Sequence, residues 1–257
     1  MLTKRQRFIF ASACALGLSL LFPLVYTQLG GIAVLILAIC IYAIAFFALW
    51  ENINGIEYIT LFVLPISFII GTNLFITILP DRKLFRYPLY AMIPVGMYII
   101  LLTENIFNVA AIRTIQLLRA AHAVSYIATL LTAFFLLSFI VSMHYDLILS
   151  AALITATIIP LTLQFLWTFD LSPRITTRTL IYIGVISLIS CQIGYFIQFF
   201  PQSIAMTSLF LVAVYYVQLG IMQHYYEKKL TRKPIIEYAI VACIVFVIMI
   251  ITTSWQG

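Results

Sequence analysis

Long runs of apolar residues dominate the chain and are separated by short clusters that hold its charged residues and many of its prolines. A helix needs about 20 apolar residues to cross the hydrocarbon core of a bilayer. Membrane β-strands would alternate apolar and polar residues, and runs such as AVLILAICIYAIAFFALW do not alternate. The pattern therefore predicts an all-α fold. The predicted spans are 8–26, 31–50, 58–79, 89–103, 121–142, 147–169, 179–199, 204–223 and 235–254.

These spans predict a polytopic transmembrane helix bundle without a soluble domain, in which residues 1–257 form a single integral-membrane domain. Segment 89–103 is the shortest span and contains Pro94 and Gly96. Whether it crosses fully is left open, and a count of eight spans is the alternative to nine. The first span follows a basic tail, as in a signal peptide, but it is too long for a signal-peptide core and no small-residue cleavage site follows it.

Composition supports a membrane protein, since 64% of the 257 residues are hydrophobic and only 9% are charged. Soluble domains carry about 25% charged residues, and disorder requires low hydrophobicity, so both of these classes are excluded. The net charge of +6 comes from residues that flank the spans. We therefore expect a lipid bilayer as the partner, and no nucleic acid.

The Lys and Arg residues are distributed unevenly between the two sides of a nine-span protein. Three of them, Arg82, Lys83 and Arg86, fall on one side, and the other 11 share the side of the N-terminus. Because basic loops stay in the cytoplasm, we expect a cytoplasmic N-terminus, an outside C-terminus and a location in the cell membrane.

Polar residues inside three spans recur on common helical faces. One interpretation is that these faces line a polar cavity or substrate path, and the other is that they form hydrogen bonds between packed helices. Spans two and nine lack such faces and are expected to contact lipid. The predicted path residues are Thr129 and Thr132 in span five, Ser187, Cys191, Tyr195 and Gln198 in span seven, and Thr207, Tyr215 and Gln218 in span eight.

The run TENIFNVAAIRTIQLLRAAH (103–122) concentrates charge in a chain that is otherwise sparsely charged. A straight helix over 89–142 would be about 80 Å long, so the chain must bend here, as an interfacial helix or as a tight return. Arginine suits bidentate contact with phosphate. We expect either a binding site for anionic lipid headgroups or a plain basic anchor with a salt bridge. The residues of this predicted binding site are Glu104, Arg113, Arg119 and His122.

The same run resembles a segment of an uncharacterised family of multi-pass bacterial membrane proteins, a domain of unknown function. The resemblance is clear over those 20 residues and extends elsewhere only through hydropathy. It implies a location in a bacterial inner membrane and implies no activity.

The sequence contains little recognisable catalytic chemistry. The spans have no carboxylate or basic residue at their centres, the four cysteines are not paired in spacing, and the motifs H-E-x-x-H and G-x-S-x-G are absent. We therefore predict no metal and no cofactor. A non-enzymatic membrane component or an assembly partner of other membrane proteins is the first interpretation. Two alternatives stay open: a transporter or accessory subunit for a small or lipid-like molecule, and a membrane-embedded enzyme acting on a lipid-linked substrate.

Overall fold

The computed structural model describes residues 3–51, 53–111 and 117–253, and these ranges form helices and connecting loops without a strand. Each predicted span overlaps a helix that is long and apolar enough to cross a membrane, so the all-α prediction is confirmed. A short 3-10 helix, Ile197–Phe199, follows α7. The nine long helices of the described ranges are α1 (Lys4–Leu29), α2 (Gly31–Leu49), α3 (Glu57–Ile78), α4 (Lys83–Ala110), α5 (Leu118–Ser142), α6 (Leu147–Asp170), α7 (Thr177–Phe196), α8 (Ile204–Tyr226) and α9 (Arg232–Thr252).

Helix α4 differs most from its predicted boundaries, because it contains 28 residues where the sequence pattern predicts a span over 89–103. Pro88 and Pro94 lie inside the helix and do not end it. Glu104 and Asn108 are buried on its last turns, so polar residues that look like the start of a loop belong to the helix. At 1.5 Å per residue α4 is about 42 Å long, which exceeds the hydrocarbon thickness of about 30 Å.

The chain divides into two compact units. The first unit is Met1–Leu136 with Asp170–Ile175, and the second is Leu137–Phe169 with Thr176–Gly257. The division falls inside α5, so this helix contributes residues to both units. The single integral-membrane domain stays a prediction.

In the first unit α1 packs against α2, α3 and α4, and α3 packs against α2 and α4. Small buried residues such as Ala11 and Ala15 allow close approach of the helices. Within this core the Nδ2 atom of Asn73 donates hydrogen bonds to Ser19 Oγ and to the Ile69 carbonyl oxygen, both at 2.8 Å. The polar groups of the core therefore join α1 to α3.

Contacts at the helix ends show how α1 to α4 alternate in direction. Lys4 Nζ lies 2.6 Å from Glu51 Oε2, which brings the start of α1 to the end of α2. Asn108 Nδ2 donates to the Glu51 carbonyl oxygen at 2.8 Å, so α4 ends there as well. At the opposite end Arg86 Nη2 donates to the Leu79 carbonyl oxygen at 2.9 Å, so α4 starts where α3 ends. Helix α4 thus runs antiparallel to α3 between the two ends of the unit.

Helices of the second unit alternate in the same way. The rings of Phe169 and Tyr226 stack at 5.5 Å, and Thr179 Oγ1 lies 3.4 Å from the Tyr226 hydroxyl. Hence α6 ends, α7 starts and α8 ends at one end of the unit. We name this the basic end, because it carries every Lys and Arg of the second unit: Arg178, Lys228, Lys229, Arg232 and Lys233.

The connection between α1 and α2 and the packing of α9 are two further features of the fold. Gly30 alone joins α1 to α2, with φ 52° and ψ −127°, a conformation that favours glycine. Helix α9 packs against α8, and Met249 is its only residue that is buried. This exposure agrees with the expectation that span nine contacts lipid.

Candidate functional site

The second unit contains a cavity of about 360 Å³. It lies where α6 and α8 begin and where α7 ends, at the opposite end of the unit from the basic end. Apolar side chains such as Ile154 and Ile197 form part of its wall. Its volume falls within the range of about 300–1,000 Å³ that is usual for small-molecule sites. The polar residues of its lining are His144, Tyr145, Asp146, Ser150, Gln198, Gln202 and Thr207, so two predicted path residues share one cavity.

Two glutamines hold the helix ends around the cavity. Gln198 Nε2 donates to the Gly194 carbonyl oxygen at 2.8 Å and to the Leu147 carbonyl oxygen at 3.4 Å. Gln202 Nε2 lies 2.6 Å from both the Met249 carbonyl oxygen and Thr253 Oγ1. These contacts join α7 to the start of α6, and the loop before α8 to the end of α9.

The same contacts fix the orientation of both amides. An amide nitrogen carries two hydrogens, and in each glutamine both are directed at protein acceptors. Reversing either amide would place its oxygen against a carbonyl oxygen. Each side chain therefore has only its Oε1 atom left as a hydrogen-bonding group. Gln202 Oε1 is buried and has no hydrogen-bond partner among the described residues.

The cavity lining contains one carboxylate and one imidazole among its titratable acidic and basic groups. Asp146 lines it and is exposed. No Lys or Arg of the described ranges lines it, because the basic residues of this unit lie at the basic end. His144 also lines the cavity and has φ 48°, so the loop between α5 and α6 turns sharply where it forms the cavity wall.

Deeper polar residues of the second unit are partly paired with one another. The Tyr215 hydroxyl lies 3.1 Å from Thr162 Oγ1, with both side chains buried. Ser190 Oγ donates to Gln218 Oε1 at 3.3 Å. Ser187 Oγ and Gln218 Nε2 are buried without a hydrogen-bond partner in the described parts of the chain. The two paired contacts fit helix packing, whereas the two unpaired atoms are of the kind that an ordered water or a ligand satisfies.

The remaining path residues lie in different settings. Cys191 is half-buried on α7, and Tyr195 is exposed, with its ring 5.6 Å from that of Phe199. Thr129 and Thr132 belong to the first unit, where both are fully buried and their hydroxyls have no partner among the described residues. A path that joins span five to spans seven and eight stays a prediction.

The predicted bend between spans four and five contains a return of the chain. The rings of Phe107 on α4 and His122 on α5 lie 5.4 Å apart, whereas 15 residues of straight helix would separate them by about 22 Å. The end of α4 and the start of α5 therefore lie close together, and the choice between a tight return and an interfacial helix falls on residues 112–116, outside the described residues. Of the predicted binding residues, Glu104 is fully buried, His122 is half-buried and Arg119 is exposed. Arg113 lies outside the described residues.

An ion cluster on Glu51 was not predicted, although it lies at the same end of the first unit. Glu51 accepts from Lys4 and from Arg7, whose side chain is 10% exposed. Hydrogen bonds from Lys4 and then from Arg7 lower the pKa of Glu51 below its ordinary value of 4.5. The sequence carries one signal for this cluster: the N-terminal tail and the loop between spans two and three both fall on the predicted cytoplasmic side.

Residues 113–252 match the model of the DUF5656 family, which is described as a protein of unknown function. The chain belongs to the DUF5656 family. The match begins within the run 103–122 and includes α5 to α9, so the whole cavity lies inside the DUF5656 region and α1 to α4 precede it. No curated protein and no solved structure matches the chain.

Five polar lining residues of the DUF5656 region were missed by sequence reasoning: His144, Tyr145, Asp146, Ser150 and Gln202. They lie in loops or in a first helical turn, where polar residues are ordinary, so a search for polar faces within spans passes over them. A usable signal exists in the predicted topology. It places the loop between spans five and six and the loop between spans seven and eight on the same side of the membrane, and neither loop contains Lys or Arg.

Proposed function

We propose that this chain is a multi-pass protein of the cell membrane that crosses the bilayer nine times, with a cytoplasmic N-terminus and an outside C-terminus. Helices that alternate in direction within a unit behave as successive crossings of a bilayer. Because the described ranges contain nine such long apolar helices, an odd number of crossings is supported. The concentration of all Lys and Arg of the second unit at its basic end supports a cytoplasmic location for that end. The proposal also places anionic lipid headgroups at the basic end of the second unit and the protein in a bacterial inner membrane.

The basic loop between α3 and α4 opposes this orientation, because it carries Arg82, Lys83 and Arg86. Asp81 offsets part of this charge through an ion pair with Arg86 at 2.5 Å. Three residues against 11 leave the overall bias in favour of the proposed orientation.

Reporter fusions test the orientation directly. A reporter after Gly257 and one inserted within 228–233 should lie on opposite sides of the membrane. If both report the cytoplasm, an even number of crossings is required and the proposal is wrong.

We propose further that the second unit binds a small molecule in its cavity, and that the chain acts as a transporter or accessory subunit for that molecule. The observation that carries this proposal is the cavity itself, whose wall combines apolar side chains with polar groups from three helices. Such a combination of apolar surface and a few oriented polar groups is typical of ligand sites. In a helix bundle with only a structural role, we would expect side chains to pack into this space and leave no cavity between the helix ends.

The cavity reaches about two helical turns into the unit, since Ser150 and Ile154 of α6 line it. Two turns correspond to about 11 Å, which is short of the bilayer midplane. The unpaired atoms of Ser187 and Gln218 lie deeper along α7 and α8 and support a continuation of polar surface beyond the cavity. A transporter requires this continuation, whereas an accessory binding subunit requires only the cavity.

Single cysteines in a cysteine-free background separate these cases. A variant with Thr207→Cys should react with a small hydrophilic thiol reagent, because Thr207 lines the cavity. Variants with Ser187→Cys, Gln218→Cys and Thr129→Cys should react as well if the polar path is hydrated. Leu35→Cys is the control, because Leu35 is 64% exposed on an apolar helix and should face lipid.

Reaction at Thr207→Cys alone would favour an accessory binding subunit over a transporter. Protection of Thr207→Cys to the level of Leu35→Cys would contradict the proposed binding site. The assembly-partner and enzyme interpretations stay predictions.

A further inference from the structure

We propose that the cavity of the second unit selects a small organic cation that carries a primary ammonium group. This inference rests on the proposed function, because it names the ligand class of that same cavity. It joins two independent observations: the hydrogen-bonding character of the wall and the distribution of charge along the unit.

The wall includes side chains that can both donate and accept, namely those of His144, Tyr145, Ser150 and Thr207, and two groups that only accept. Both N–H groups of Gln198 are directed at protein acceptors, which leaves its Oε1 atom as an acceptor, whereas the Oε1 atom of Gln202 is buried. Asp146 adds a carboxylate, which when ionised only accepts. An ammonium group has three donors and no acceptor, so it complements this set.

The field at the cavity also favours a cation. Asp146 is the charged residue of the lining, and the five Lys and Arg residues of the second unit lie at its basic end. The starts of α6 and α8 would favour an anion, but the end of α7 lies beside them and acts in the opposite sense. The Ser203 side chain, moreover, already accepts from the Met206 N–H in the first turn of α8. Apart from His144, which also lines the cavity, the charged side chain left there is that of Asp146.

A primary ammonium group could come from a free amine or from the ethanolamine headgroup of a phospholipid. Both sources present the same ammonium group to the cavity. Modification rates therefore test for the ammonium group, and protection by soluble amine or by lipid vesicles distinguishes its source.

The test uses one cysteine and three reagents of similar size. Full-length protein in detergent micelles carries Thr207→Cys, with Cys14, Cys40, Cys191 and Cys243 replaced by Ala. The rate of modification is measured with 2-aminoethyl, 2-hydroxyethyl and 2-sulfonatoethyl methanethiosulfonate, each divided by its rate with a free thiol in solution. Because the three reagents attack the same thiolate, its pKa cancels from the ratios.

We expect the cationic reagent to exceed the anionic one by about tenfold, from one unit charge acting a few ångströms away in a partly solvated site. Adding Asp146→Asn should reduce this ratio to near one. A second reporter, Ser150→Cys, repeats the measurement from α6 in case the Thr207 variant fails to fold. Thr231→Cys is the matched control, because Thr231 is exposed at the basic end, where it is followed by Arg232 and Lys233, and should prefer the anionic reagent.

Protection by soluble probes identifies the group that binds. Ethanolammonium should slow modification by the uncharged reagent, whereas ethylene glycol and glycolate, which are of similar size, should not. If vesicles containing phosphatidylethanolamine protect and free ethanolammonium does not, the ammonium comes from the lipid headgroup.

Failure of the proposed binding function and failure of the cation inference give different results. If the uncharged reagent modifies neither reporter, the cavity is closed and the proposed function is wrong. If it modifies them but the anionic reagent reacts as fast as the cationic one, or glycolate protects better than ethanolammonium, the binding function stands and the cation inference is overturned.

Discussion

Replacing Glu51 by Gln should destabilise the first unit, because Glu51 neutralises a nearly buried arginine. The Arg7 side chain is 10% exposed and its Nε atom is buried without a partner among the described residues. The substitution keeps the size of the side chain and one acceptor oxygen but removes the negative charge. Lys4, 2.6 Å from the carboxylate and 42% exposed, loses the same partner at little desolvation cost.

The expected loss lies between two limits. Exposed ion pairs contribute about 0–1 kcal/mol, and removing one partner of a buried pair costs about 3–5 kcal/mol. With Arg7 largely buried and the Glu51 side chain 40% exposed, we expect Glu51→Gln to lower the free energy of unfolding by about 1–2 kcal/mol. Asn108 donates to the backbone carbonyl of residue 51, so this hydrogen bond should survive the substitution.

The difference should also depend on pH with a defined sign. The pKa of Glu51 is lower in the folded protein than its ordinary value of 4.5. Its contribution is therefore fully present above pH 4.5 and is lost as the pH falls through the lowered pKa. The measurement is reversible unfolding by SDS in mixed micelles at pH 7 and at several values below 4.5, for the wild type and for Glu51→Gln.

Asp81→Asn is the matched control, since Asp81 also pairs with an arginine of the first unit but its side chain is 89% exposed. It should change stability by less than about 0.5 kcal/mol. Equal effects of the two substitutions at pH 7, or a Glu51→Gln effect that grows at low pH, would refute the reasoning.

Two further substitutions test packing. Tyr215→Phe and Thr162→Val, combined in a double-mutant cycle, should give a coupling energy of about 0.6 kcal/mol, typical of hydrogen bonds between membrane helices; zero coupling would show that the 3.1 Å contact adds no stability. Gly55→Ala should lower the free energy of unfolding by about 1–3 kcal/mol, because Gly55 has φ 55° and a Cβ atom would meet the Pro173 carbonyl oxygen. Gly17→Ala, with no atom within 4 Å of the added carbon, should be neutral or stabilising, and a loss equal to that of Gly55→Ala would contradict the conformational argument.

Hydropathy predicted which segments become helices, because apolar length alone decides whether a segment can span a bilayer. It predicted the ends less well. Helix α4 continues through Glu104 and Asn108 since both are buried against neighbouring helices, and burial of a polar residue depends on contacts that no local pattern contains. Helix α1 starts at Lys4, before the apolar run, because Thr3 and Gln6 form a capping box there.

The candidate site was predictable in part. Gln198 and Thr207 stood out because a polar residue in an apolar helix is conspicuous. Asp146 and Gln202 did not, because their role depends on three loop and helix ends meeting in space. The predicted polar faces of the spans also could not separate a hydrogen-bonded residue such as Tyr215 from one without a partner such as Ser187. This difference depends on the side-chain rotamers of the facing helix.

The single-residue connection at Gly30 has a consequence for biosynthesis. Helices α1 and α2 cannot separate at that end, so they should enter the membrane together as one helical hairpin. The tip of this hairpin, from Tyr26 to Ile32, carries no charged side chain, and moving it across the bilayer during insertion therefore requires no charge to pass through hydrocarbon. In the proposed orientation the basic residues in the first turn of α1 stay behind, so this hairpin can be inserted before α3 to α9 are synthesised.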